Sequence, residues 1–461
     1  MLPESVVQGG EKYWSWELET MDPEQRKELI LQRIQSQLSY VYENLPFYRD
    51  HYDKHGFHPS MVKTLDDFSE KVPIITKKML VEDQAHNPIF GSYAGNFSME
   101  EIERIQGSSG TSGTPTLYCV SRKDWERSAE ISARALWSIG VRARDIVQIS
   151  FPFSLFFAGW GVLQGVERIG ATAFPLGVTD SERQLALMDK VGSTVFSATP
   201  SYAIHLISVA KQMGLDLRKN KVKKLFVGGE PGGSLDSVRQ VIEEGWGADV
   251  YESGSCSEMY PFNTSTTCEA KAGVHLYLDE VYSEIVDKDD PNRRLPMGER
   301  GAIVYTHLWR QSQPMIRFWP GDESYMTDEP CSCGRTYPRL PEGVLGRLDD
   351  MVIIRGANVY PSAIDKILRS VSGVGPEYQV ILEKQLGGLD EITVRLEYDP
   401  EVYNHLTPGG KAESLDNLAK EAAHKLKTGI GIRFSVEVIE PGELPATVVK
   451  AKRVIDRRKQ R

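Results

Sequence analysis

Five cysteines in 461 residues are too few for a disulfide framework, so a reducing, cytosolic setting is the expectation. An excess of positive charge is also missing. The formal net charge is −10, which gives no electrostatic case for a nucleic-acid partner, and the basic end (Arg457, Arg458, Lys459, Arg461) reads as a solvated tail. Residues Met1 to Gly10 carry acidic and polar side chains where a signal peptide would have a basic start and an apolar core, and no export is expected. Ile146 to Val166 is free of charged residues over a membrane-spanning length. Pro152, the glycines, three polar side chains before Ala158 and the β-like start Ile146-Val147-Gln148-Ile149 break it into strand, loop and helix, so no membrane partner is expected. Internal repeats and low-complexity tracts are absent.

What is present begins with Gly107 to Thr116, a run of Gly, Ser and Thr broken only by Pro115, set between a charged helix and the strand-like Leu117-Tyr118-Cys119-Val120. Glycines let the backbone turn through positive φ and bring N–H groups close to an anion, while hydroxyls add donors. That makes the segment a phosphate-holding loop rather than a flexible linker. It is not a Walker P-loop, because Thr114 follows Gly113 and the loop contains no lysine.

Glu24 to Glu43 sets Ile30, Ile34, Leu38 and Val41 on one helical face, with Asp22-Pro23 as the start and Pro46 as the stop, inside a largely helical lead-in over residues 1–90. From Lys123 on, helices alternate with strands at Ile146, Ala171 to Pro175, Thr194 to Ser197 and Lys224 to Val227, the pattern of a doubly wound α/β sheet. Ligands gather at the carboxyl ends of such strands, here Ala198 to Tyr202 and Gly228-Gly229-Glu230-Pro231. A β-rich subdomain follows Asp279. The Gly-Arg-Leu-Asp-Asp segment (Gly346 to Asp350) divides the chain into a large domain, 1–348, and a small α+β domain, 349–461.

In this order, the loop, the Gly-Gly-Glu-Pro turn, Ser257-Glu258, Arg317 to Asp322, Gly346 to Asp349 and Lys450 resemble the adenylate-forming (acyl-CoA synthetase) superfamily. The chain is most similar to its phenylacetate-CoA ligase group, a resemblance that extends to Tyr13-Trp14, Leu45-Pro46-Phe47-Tyr48 and Ala451 to Asp456. It implies two half-reactions: a carboxylate attacks the α-phosphate of ATP and expels pyrophosphate, then coenzyme A thiolate attacks the acyl-adenylate and expels AMP. By the resemblance, Ser108, Ser109, Gly110, Thr111, Ser112, Gly113 and Thr114 hold phosphate, and Glu258 holds Mg²⁺ beside Ser257. Lys450 is the cation at the α-phosphate and the acid carboxylate. Asp322 takes the ribose hydroxyls, Gly229, Glu230, Pro231 and Glu252 line the nucleotide site, and Arg347 contacts ribose or phosphate. Asp349 is the hinge of a mobile small domain. Arg355 and Gly356 belong to the loop that receives coenzyme A, although a plain turn before a helix at Pro361 fits the same residues. Phe151 and Phe156 face the acid, with Ala158, Gly159 and Gly228 giving it room, which suits a flat aryl group. A homodimer is the assembly that the resemblance implies.

The chain departs from the family pattern in three places. Gly254-Ser255-Cys256-Ser257-Glu258 lacks the tyrosine that stacks on adenine, Thr114 stands where many relatives carry lysine, and Val449 stands where glycine usually precedes the lysine. Cys331-Ser332-Cys333, with Cys268 and His275 upstream, makes a closed set of three thiols and one imidazole fit for a structural Zn²⁺, free buried cysteines being the alternative. The expected activity is ATP-dependent, AMP-forming ligation of an aryl or arylacetic acid to coenzyme A. The alternatives are transfer to a carrier-protein thiol or other acceptor, and a nucleotide-binding relative that has lost catalysis.

Overall fold

A computed structural model describes residues 10–108, 115–260, 263–348, 352–354, 357–359, 361–384, 390–407, 409–430, 432–445 and 453–457. Asp22 starts helix α1 (Pro23–Asn44) by accepting the N–H groups of Glu24 at 2.9 Å and Gln25 at 3.2 Å. Its apolar face, Ile30, Ile34, Leu38 and Val41, is fully buried as the spacing predicts. Helix α2 (Lys77–His86) follows, and then a two-stranded ribbon, β1 (Ile102–Gly107) and β2 (Leu117–Ser121), paired antiparallel with Gly107 opposite Leu117. The element before the phosphate loop is thus a strand, not the charged helix expected. Glu103 is the exposed charge of this ribbon and Arg104 lies over the Trp125 and Trp160 rings at 4.1 and 4.4 Å, and a loop at the tip of a hairpin is held at both ends.

The charge-free stretch after Ile146 resolves into strand β3 (Ile146–Ile149), a loop and helix α4 (Phe157–Ile169), which packs on helix α3 (Arg122–Ser138). The two helices are close at Gly165, where a Cβ would lie 2.8 Å from the Ser132 carbonyl. Gly165→Ala should therefore cost about 1–3 kcal/mol, read as a shift in urea midpoint. Among the described residues no helix is long and apolar enough to cross a membrane.

The alternation continues with β4 (Thr172–Phe174), α5 (Ser181–Val191), β5 (Val195–Ala198), α6 (Pro200–Gln212), β6 (Lys224–Gly228), α7 (Asp236–Trp246) and β7 (Asp249–Gly254). Strands β8 (Ser265–Thr267) and β9 (Val274–Leu276), with β14 (Arg339–Leu340) further on, complete an eight-stranded sheet in the order β14-β9-β8-β7-β6-β5-β3-β4. Strands β4, β3, β5 and β6 are mutually parallel, while β7, β8, β9 and β14 run antiparallel. In the β-rich part, β10 (Val281–Val286) pairs antiparallel with β11 (Gly301–His307), which also pairs with β12 (Phe318–Trp319) and β13 (Asp322–Ser324). The parallel partner of β12 comes from far upstream, Ile75 opposite Phe318, a pairing that no local pattern announces.

Two compact units emerge. The first holds residues 1–198, 221–229 and 251–344, with cores under α1 and between α3 and the parallel strands. The second holds 199–220, 230–250 and 345–461. Its tail forms a four-stranded sheet of β17 (Ser435–Ile439), β16 (Asp390–Tyr398), β15 (Val374–Lys384) and β18 (Val454–Asp456). Helices α8 (Pro361–Arg369) and α9 (Lys411–Ile430) bury Ile364, Leu368, Leu418, Ala422 and Leu426 against Val380, Leu382, Val394 and Leu396. The fold class is the one expected, mixed α/β with a large N-terminal domain and a small α+β C-terminal one.

Candidate active site

The stem of the phosphate loop is closed by two bonds: Ser108 N–H donates to the Thr116 carbonyl at 3.0 Å, and Thr116 N–H to the Ser108 hydroxyl at 3.1 Å. Residues Ser109 to Thr114 lie outside the described residues. Gln84 on α2 grips the outgoing strand with its whole amide, accepting the Leu117 N–H at 2.8 Å and donating to the Leu117 carbonyl at 2.8 Å. No motif reading found Gln84, since nothing local distinguishes it from any helix-face glutamine.

Beyond strand β7 the chain turns, with Met259 N–H donating to the Cys256 carbonyl at 3.0 Å, and this turn carries Ser257 and Glu258. Ser257 is half-buried and Glu258 is 4% exposed. Among the described residues the Glu258 carboxylate has two partners, the Lys77 ammonium at 3.1 Å and the Tyr118 hydroxyl at 3.2 Å. Burial pushes the Tyr118 phenol well up, and the Glu258 charge adds to the effect. The Cys256 thiol is likewise raised by burial and then by the negative charges of Glu258 and Asp322. Asp322 itself opens β13 just after Gly321, whose φ of +90° makes the turn.

Arg317, at the head of that motif, is an anchor. Fully buried with φ of +48°, it pairs with Glu284 at 3.3 Å and donates to the carbonyls of Val72 and Pro291, both at 2.6 Å. Glu252 is buried, with its N–H donating to the Thr267 hydroxyl at 3.0 Å. In the Gly228–Pro231 turn, Gly229 has φ of +89°, and Glu230 accepts the Ser201 N–H at 2.8 Å, at the start of α6. Burial raises the Glu230 carboxyl, an effect that Ser201 partly offsets. Arg347 is half-buried at the start of the second unit's tail. Lys450, Asp349, Arg355 and Gly356 lie outside the described residues.

The five residues expected around the acid differ in character. Phe156 and Ala158 are half-buried at the start of α4, whereas Phe151 packs into the core with Ile149 and Val162. A Cβ on Gly159 would meet the Pro152 carbonyl at 3.0 Å and the Phe153 ring at 3.3 Å, and one on Gly228 would lie 2.7 Å from the Ser253 carbonyl. Close-packed backbone, and at Gly159 also the Phe153 ring, leaves no room for a Cβ at either glycine, and Phe153 stands edge-on to Trp160 at 5.1 Å.

Cys268, His275, Cys331 and Cys333 are all buried, with their ligand atoms within 4.8 Å of one another. The Cys268 and Cys331 sulfurs are 3.7 Å apart, and Cys333 sulfur is 3.3 Å from His275 Nε2. A tetrahedral Zn²⁺ with Zn–S bonds of ~2.3 Å sets sulfurs about 3.8 Å apart, and a disulfide requires about 2.05 Å. The donor set therefore fits zinc. His275 Nδ1 lies 3.1 Å from the Tyr337 carbonyl, the orienting bond that leaves Nε2 for a metal. Bonding from Cys268, and then from His275, holds the Cys333 thiol down to about 2.

Residues 356–458 match the family described as AMP-binding enzyme C-terminal domain. Over 96% of its length the chain is 33% identical to the phenylacetate-coenzyme A ligase of Thermus thermophilus, covering 99% of that protein. The chain belongs to the adenylate-forming ligases, in the phenylacetate-CoA ligase-like family. Two solved structures of a 2-hydroxyisobutyryl-CoA ligase are also similar. One, in the postadenylation state with an acyl-AMP, is 40% identical with a TM-score of 0.92, over 99% of this chain and 94% of that one. The other, with 2-HIB-AMP and CoA in the thioesterification state, is 41% identical with a TM-score of 0.73, over 100% and 94%. The reaction class of this ligase is AMP-forming acid–CoA ligation.

Proposed function

We propose that the protein activates a compact carboxylic acid as its acyl-adenylate and passes the acyl group to coenzyme A. The observation that carries this reading is the buried Glu258 carboxylate, which accepts the hydroxyl of Tyr118 on the strand leaving the stem of the phosphate loop. In the first half-reaction a carboxylate oxygen of the acid bonds to the α-phosphorus and the bond from that phosphorus to the α,β-bridging oxygen breaks, releasing pyrophosphate. Glu258 would hold Mg²⁺, which supplies charge neutralisation on the leaving pyrophosphate. Loop N–H groups and hydroxyls between Ser108 and Thr116 orient the β- and γ-phosphates, and Asp322 fixes the ribose. Lys450 contributes positive charge where the carboxylate meets the α-phosphate. In the second half-reaction the thiolate of coenzyme A attacks the acyl carbon and AMP leaves. Residues 349–461, turning about Asp349, would exchange Lys450 for the Arg355-Gly356 loop between the two steps.

A compact acid is favoured by the close backbone packing at Gly159 and Gly228 and by the 40% identity to an enzyme named for a short branched hydroxy acid. Aryl or arylacetic acids are the second reading, supported by the half-buried Phe156 and by relatives named for phenylacetate. Pyrophosphate release with a panel of 2-hydroxy, branched, benzoic and arylacetic acids, with and without coenzyme A, tests both. The highest kcat/KM should fall on a short branched or hydroxylated acid, with equimolar thioester. A preference for arylacetates would replace the first reading with the second. Release without thioester would point to another acceptor thiol, and no acid-dependent release from the whole panel would defeat the catalytic reading.

We further propose that Cys268, His275, Cys331 and Cys333 hold a structural Zn²⁺, and that the enzyme works as a homodimer.

A further inference from the structure

A phosphate loop without a lysine leaves the polyphosphate short of a cation, and the chain supplies one from elsewhere. Lys77 opens α2, and its ammonium lies 3.1 Å from Glu258 Oε1. Seven residues on, and so on the same helix face, Gln84 clamps both backbone groups of Leu117. The next residue, Tyr118, donates its hydroxyl to the same Glu258 carboxylate. Helix α2 is therefore fastened to the strand that leaves the phosphate loop, with its lysine delivered to the carboxylate that the reaction needs for Mg²⁺. The burial of the two partners is unequal: the Glu258 side chain is 6% exposed and that of Lys77 39%. A buried carboxylate left unpaired is costly, whereas a half-exposed lysine on a four-carbon stem can change partners cheaply.

Resting on the adenylation reading above, we propose that Lys77 is the pyrophosphate-site cation of this enzyme. In the structure it neutralises Glu258. When the carboxylate turns to Mg²⁺, the ammonium loses its partner, and the β- and γ-phosphates provide the replacement. The same charge thus serves first the carboxylate and then the leaving group. Its ligand is the terminal polyphosphate of a nucleoside triphosphate, and pyrophosphate itself, but not a nucleoside monophosphate.

Titration calorimetry of wild-type protein, Lys77→Met and Lys77→Arg with Mg–ATP, Mg–pyrophosphate and AMP reads this directly. A charge-assisted phosphate contact is worth about ten- to a hundredfold in affinity. Lys77→Met should lose that much for ATP and for pyrophosphate while AMP affinity is unchanged, and Lys77→Arg should recover most of it. Retained ATP and pyrophosphate affinity in Lys77→Met, or equal losses for ATP and AMP, would overturn the assignment and leave Lys77 as a purely structural partner of Glu258. Wild-type protein that binds AMP but neither ATP nor pyrophosphate would overturn the adenylation reading, and the role of Lys77 with it.

Discussion

Lys450→Ala is expected to slow acid-dependent pyrophosphate release by about a hundred- to a thousandfold, with thioester formation from supplied acyl-adenylate near the wild-type rate. The asymmetry follows from where charge develops. As the carboxylate adds to the α-phosphorus, negative charge gathers on the phosphate oxygens, and removing one aligned cation there forfeits several kcal/mol of transition-state stabilisation. In the second half-reaction the mixed anhydride already exists and the nucleophile is a thiolate, so a lysine at the α-phosphate has less to stabilise. Single-turnover assays started from acid plus ATP, and separately from acyl-adenylate plus coenzyme A, measure the two rates. Equal loss in both would mean that Lys450 shapes the protein rather than the first transition state.

Cys333→Ala should eliminate one equivalent of bound zinc and lower Tm by about 5–10 °C, a fall that zinc chelation from the wild type should reproduce. The effect should reach beyond the metal, because the cysteine loop is tied to the front of the chain. Tyr13 donates its hydroxyl to the Cys333 carbonyl at 3.0 Å, and Arg335 pairs with the fully buried Glu19 at 2.6 Å. Gly334, with φ of +77°, admits the Tyr13 hydroxyl where a Cβ would lie 2.5 Å away. Limited proteolysis near residues 10–20 should therefore quicken in the variant and in chelated protein. Zinc-free wild-type protein with an unchanged Tm would identify the four residues as a buried thiol cluster instead.

What the sequence makes legible, and what it hides, divides by the range of the interaction. Helix α1 is announced by Asp22, Pro23 and a period-3.6 face, and the structure reproduces both. The parallel strands follow from alternation, and the gathering of Cys268, His275, Cys331 and Cys333 from residue type, because three thiols and an imidazole have few other uses together. Lys77 and Glu258, by contrast, are 181 positions apart, and only the tertiary fold joins them. Strand β18 is three residues long and is defined by its pairing with β15 rather than by its own pattern. Gly159 and Gly228 show the opposite hazard: small residues signal closeness without saying whether a ligand or another stretch of backbone comes close. The backbone packed beside them is by itself a sufficient reason for glycine at both positions.

Turnover with acid labelled in its carboxylate with ¹⁸O tests the central claim most directly. If the carboxylate oxygen attacks the α-phosphorus and the thiolate then attacks the acyl carbon, AMP carries one labelled oxygen and pyrophosphate carries none. Label in inorganic phosphate with ADP as the other product, or AMP that forms without label, would contradict an acyl-adenylate intermediate.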